Sequence, residues 1–152
     1  MNRGKAEQMK RSTWLVAILA LQGCSESAPD SGESTPSISY SQAVRCGQLA
    51  RFFSSQDGIQ YLAQGRASGD FDKSMNDVAA IAMEQAPRTL NAARNMALQK
   101  ADAINPIPNP NSEIDNGYLN IVIEVRRAIS SGDNLYIAQI ATEFTGNCAA
   151  VI

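Results

Sequence analysis

Apolar and polar positions alternate along the chain in three distinct ways, and each predicts a different kind of segment. The first is an unbroken run, Trp14 to Leu21 (Trp-Leu-Val-Ala-Ile-Leu-Ala-Leu), preceded by Arg3, Lys5, Lys10 and Arg11. Eight apolar residues are too few for a membrane span, which needs about 20, but they suit the core of a secretory signal peptide behind a basic leader. The second is Ser25 to Ser37, which has no large apolar residue and is rich in Ser, Pro, Gly and Glu, a composition that predicts a flexible tether. The third covers the rest of the chain, where apolar residues recur at spacings of three and four, the period of a helix packed on one side.

That period predicts an all-α domain over residues 38–152, a small bundle of about five helices. The first is expected near 41–55, with Cys46, Leu49, Ala50 and Phe53 on one stripe. Asp57 can cap a short second helix that carries Ile59 and Leu62 and ends at Gly65. Asp70 and Asp72 precede a stretch in which Met75, Val78, Ala79 and Ala82 share a face. Pro87 is expected to interrupt it and to suit the first turn of a following helix with Leu90, Ala93, Ala97, Ala101 and Ile104 in line. The run Asn105-Pro106-Ile107-Pro108-Asn109-Pro110-Asn111 predicts an extended crossing, a plain connector in preference to a recognition segment. Ser112, with Glu113 and Asp115, then supplies capping and early-turn acids for a helix through Leu119, Val122, Ile123 and Ile129 that stops near Gly132. Asp133 is expected to cap the last helix, whose stripe is Ile137, Ile140, Ala141, Phe144 and Cys148. A loop of only two or three residues between these last two helices predicts an antiparallel pair.

Composition narrows the chemistry. The 152 residues include no histidine, which excludes His-based triads, His metal ligands and imidazole proton shuttles. A net charge of −2 argues against nucleic acid as a partner. No Gly-rich phosphate loop is present. Asp70-x-Asp72-x-Ser74 begins like a calcium loop, but Met75 stands where glycine is needed and Ile81 where a bidentate carboxylate belongs, so helix capping is the expected role. Glu84, Glu113, Glu124 and Glu143 fall on different helices and are expected on solvated faces. Lys73 and Ser74 are neighbours on different sides of a helix, which does not suit Ser-Lys catalysis. Met75 is read as core. Met83 and Met96 lie off the stripes, so they widen the core or mark an adaptable surface patch, the former being favoured. Arg126 and Arg127 are expected to pair with Glu124 or nearby Asp residues, and a role in recognising carboxylates is the alternative. The expectation is a non-enzyme without cofactor or metal.

The apolar run closes on Leu21-Gln22-Gly23-Cys24, which resembles the lipobox of bacterial lipoprotein precursors: an aliphatic residue three before the cysteine, a small one immediately before it, and Gln22 as a less usual filler between. The resemblance implies cleavage after residue 23 and acylation of Cys24 by palmitate-class chains. Each buried methylene contributes roughly 0.8 kcal/mol, and two or more chains make a stable anchor where one does not. Ser25 in the following position, in place of Asp, implies the outer membrane, on its periplasmic side. The expected organisation is therefore a signal peptide over 1–23, lipidated Cys24 with its tether over 24–37, and the helical domain over 38–152. An ordinary secretory signal with Cys24 as an incidental thiol is the alternative, and Met9 is an alternative start.

Removal of residues 1–23 leaves 9 Lys+Arg against 14 Asp+Glu, an acidic chain that suits a basic partner surface better than an anionic lipid face. Thirteen tether residues reach roughly 20 Å as a coil and about 45 Å when stretched. After lipidation two cysteines remain, Cys46 and Cys148, on the stripes of the first and last helices. In an exported protein they are expected to form a disulfide; two buried thiols are the alternative. A lipobox, a polar leash and a disulfide-linked helical bundle are together similar to the secretin pilotins of type II secretion. That similarity implies a non-enzymatic, protein-binding assembly factor. Helical periplasmic immunity proteins, which block cell-wall hydrolases, are similar in size, charge and export and supply the second expectation.

Overall fold

The computed structural model describes residues 37–152. The expected signal peptide, the expected lipidation site Cys24 and the expected tether up to residue 36 lie outside the described residues. Five helices follow in order: α1 (Tyr40–Phe53), α2 (Gln56–Ser68), α3 (Lys73–Ala101), α4 (Pro110–Ser130) and α5 (Tyr136–Asn147), with a short 3-10 turn at Ala149–Val151. No strand forms among the described residues. The all-α bundle expected from the apolar spacing is the fold, and Cys46 and Cys148 are joined by a disulfide across a Cα separation of 5.5 Å.

Helix α1 is the axis of the bundle. Its start is fixed by a reciprocal cap: the Gln42 amide nitrogen donates to Ser39 Oγ at 3.2 Å, and the Ser39 amide nitrogen donates to Gln42 Oε1 at 2.9 Å. The expected stripe of Cys46, Leu49, Ala50 and Phe53 is buried, and Ala43, Val44 and Phe52 widen it over much of the circumference. α1 packs most extensively on α3 and next on α4. The α3 side of the first contact is almost all alanine (79, 82, 86, 93 and 97, all fully buried), which lets two backbones approach closely. Gly47 does the same toward α4: a Cβ there would stand 2.6 Å from Ile114 Cδ1. Phe52, Phe53 and Phe144 fill the centre, with ring centroids 5.2 and 5.5 Å apart for the two successive pairs.

The expected boundaries of α2 shift at both ends. Ser55, not Asp57, caps it, accepting from the Gly58 amide at 3.1 Å, which leaves the Asp57 carboxylate free for a tertiary contact. The helix runs through Gly65 because that glycine serves packing: a Cβ would meet the Phe71 ring at 2.8 Å. The stop falls at Gly69, whose φ of 82° is the left-handed conformation open to glycine.

Pro87 does not divide α3, contrary to the sequence pattern, and the two helices expected there are one of 29 residues. Proline in a helix interior removes one hydrogen bond and costs about 3 kcal/mol. Against that stand Ala82, Ala86, Thr89, Leu90 and Ala93, buried on both sides of the proline on a single continuous face. Thr89 Oγ1 also donates to the Gln85 carbonyl at 3.0 Å. Ile104, expected on this stripe, lies beyond the helix end and is partly exposed. The extended crossing is shorter than expected, because Pro110 is already the first residue of α4 and Asn109, not Ser112, caps it: Ser112 donates its amide N–H to Asn109 Oδ1 at 3.1 Å.

On α4 the buried positions are Ile114, Ile121, Val122 and Val125, whereas Leu119 and Ile123, expected in the core, are each 53% exposed. They sit roughly 120–160° around the helix from that face, so one side cannot bury both sets. The turn from α4 to α5 takes five residues, not two or three, with Gly132 at φ 88°. Asp133 still serves the start of α5, where its Oδ1 accepts from the Tyr136 amide at 3.1 Å. α5 packs mainly on α3 and little on α4, so the expected α4/α5 pair is a minor contact. Its predicted stripe, Ile137, Ile140, Ala141, Phe144 and Cys148, is buried throughout. No described helix is long and apolar enough to cross a membrane.

Candidate functional site

Two surfaces bring chemistry-bearing side chains together. The first is a cleft of about 290 Å³ where α1 meets the end of α5, lined by Gln42, Arg45, Leu49, Glu143, Asn147 and the disulfide. Arg45 grips Glu143 with a two-pronged ion pair, Nε to Oε1 at 2.8 Å and Nη2 to Oε2 at 2.9 Å. That contact raises the Arg45 pKa, and burial opposes it more weakly. Tyr136 stands nearby and donates to Glu124 Oε2 at 3.0 Å, and burial followed by this carboxylate raises the phenol. The disulfide lines this cleft beside the Arg45–Glu143 pair.

The second surface is the outward face of α4. Leu119, Ile123, Arg126 and Arg127 follow at i, i+4, i+7 and i+8, which sets two exposed apolar side chains beside two exposed arginines. The expected pairing of these arginines with Glu124 or aspartates is not found. Arg126 Nε instead donates to the Tyr61 hydroxyl at 3.0 Å, and neither guanidinium has a carboxylate within 4 Å among the described residues. A phenol is a neutral acceptor, so neither charge is neutralised by direct contact, although the Asp57 carboxylate acts on Arg126 through space. The period alone had assigned Leu119 and Ile123 to the core; counting which of two competing stripes is longer was the signal for exposure.

A third group of contacts is structural. Tyr118 donates to Asp57 at 2.7 Å while its ring takes the Arg51 guanidinium 5.6 Å from the centroid. Asp115 collects Arg94 at 3.3 Å and Arg51 at 3.6 Å, which ties α1, α3 and α4 together. The Tyr40 hydroxyl is buried without a hydrogen-bond partner of good geometry, and burial with the Glu113 carboxylate beside it pushes its pKa to about 12.

The other sequence candidates disperse. Asp72 caps α3 through the Met75 amide at 2.8 Å, and Asp70 accepts from Asn134 at 2.8 Å, which with Ser68 lowers its pKa. Among the described residues no three Cys, Asp or Glu side chains gather as a metal site. Lys73 reaches Asp77 rather than Ser74. Of the four glutamates, Glu143 takes Arg45, Glu124 takes Tyr136 and Glu113 borders Tyr40, whereas Glu84 has no opposite charge within 4 Å among the described residues. Met75, Met83 and Met96 pack partly buried against the core.

By fold this is a disulfide-closed all-α domain with an amphipathic exposed face on its fourth helix. No protein family, curated protein or solved structure matches the chain.

Proposed function

We propose that the chain is a non-enzymatic lipoprotein, held at the periplasmic side of the outer membrane through lipid on Cys24, that binds another protein through the exposed face of α4. The carrying observation is Leu119 and Ile123, each more than half exposed, next to the unpaired charges of Arg126 and Arg127. Apolar surface of this kind on a bundle, with two arginines beside it, suits a partner helix that offers an apolar stripe with flanking carboxylates. The reading is that of a pilotin-like assembly factor, and the Leu21-Gln22-Gly23-Cys24 motif supplies the address.

The test is crosslinking of the full chain in native membranes, followed by mass spectrometry of what is captured, with Cys24→Ala and Leu119→Glu/Ile123→Glu as controls. The expected result is an envelope-machine subunit lost in both controls. A secreted cell-wall hydrolase in its place replaces the assembly-factor reading with an immunity function. A capture pattern indifferent to the α4 substitutions removes that face from the account.

A further inference from the structure

A different helix carries a surface whose charges match themselves. Beside α3 a cleft of about 320 Å³ is lined by Ile81, Glu84, Gln85, Arg88 and Ile152. The two isoleucines are 42% and 60% exposed. Glu84 and Arg88 stand one helical turn apart with the acid on the N-terminal side, the order that ordinarily forms an ion pair along a helix. They do not form it: neither lies within 4 Å of an opposite charge among the described residues.

We infer that this face of α3 pairs with the same face of a second copy of the chain about a two-fold axis that crosses α3 midway between Glu84 and Arg88. An antiparallel crossing at that point sets Glu84 against Arg88 of the second copy and Arg88 against its Glu84, so one register satisfies four unpaired charges. Ile81 then lies against the 91–92 segment of the second copy, where Asn91 is exposed and Ala92 is small and only half-buried. A foreign partner would need its own Glu/Arg pair at the same spacing on a helix that runs antiparallel to α3. A second copy carries one by construction.

This inference is independent of the lipid anchor and of the α4 face. The test is sedimentation equilibrium of the full chain in neutral detergent for the wild type, Glu84→Arg, Arg88→Glu and the swap that combines both. Because the two-fold repeats every substitution, each single reversal turns two attractions into two repulsions and weakens the dimer by at least about tenfold, while the swap restores it. Added salt weakens the wild-type dimer and relieves the single variants. A wild type that stays monomeric up to its solubility limit overturns the proposal, as do single variants that dimerise as well as the wild type. Far-UV circular dichroism melts confirm that each variant is folded; should one single reversal fail to fold, the other and the swap still decide the matter.

Discussion

Reduction of the Cys46–Cys148 bond is the perturbation with the largest worked consequence. The two residues are 102 apart in sequence, and the bond joins α1 to the end of α5, so it encloses nearly the whole described domain. In the loop-closure treatment a ring of this length removes about 16 cal/mol/K from the unfolded ensemble, which is about 4.7 kcal/mol at room temperature. Small domains have total stabilities of about 5–15 kcal/mol, so the bond supplies a third or more of what holds this one together. With about 2.1 cal/mol/K of unfolding entropy per residue over the described domain, the melting temperature falls by about 20 °C. The assay is urea unfolding of oxidised and reduced protein, followed by circular dichroism at helix wavelengths, since the single tryptophan, Trp14, lies outside the described domain. Reduction keeps both sulfurs in place and so leaves core packing nearly untouched, which substitution by alanine does not. The denaturant slope is expected to rise as well, because the reduced chain unfolds to a larger surface. A midpoint shift equivalent to less than about 1 kcal/mol would refute the chain-entropy reasoning.

Further predictions concern single side chains. Pro87→Ala restores a donor inside α3 and is expected to stabilise the fold by about 1–2 kcal/mol, since the regained helix energy exceeds the lost stiffness of the unfolded chain; a destabilised variant in urea melts contradicts a continuous α3. Glu143→Gln removes one side of an ion pair whose side chains are 43% and 33% exposed, so the loss is about 0.5–1 kcal/mol after solvent screening and shrinks as salt is raised. Tyr40 binds its proton more tightly in the folded state, at a pKa of about 12. Its contribution to stability is full below about pH 10, the unfolded value, and is lost as pH rises through 12, so Tyr40→Phe should flatten the alkaline fall in urea midpoint. Leu119→Ala and Ile123→Ala should each change stability by no more than about 0.5 kcal/mol, whereas the fully buried Ile114→Ala should cost about 2–5 kcal/mol; equal losses at all three would return Leu119 and Ile123 to the core.

The period of the apolar residues was enough to establish the helical class and the buried stripes of α1 and α5, because these depend on spacing within a single helix, and the disulfide joins the two cysteines that lie on those stripes. The tertiary structure decided whatever required two segments to compete for the same space. Pro87 breaks a helix by its local chemistry, but the alanine face it interrupts is buried on both sides of the proline, and that burial outweighs one missing hydrogen bond. Gly65 reads as a stop until the Phe71 ring is placed against it. Leu119 and Ile123 follow a helical period as well as Ile121 and Val125 do, and only the position of α1 determines which stripe is covered and which remains outside. The same dependence governs the charges, since the Arg45–Glu143 bond spans 98 residues and Glu84 and Arg88 have no opposite charge within 4 Å among the described residues. Local sequence carries the free energy of a single helix, while exposure and pairing depend on which other helix arrives.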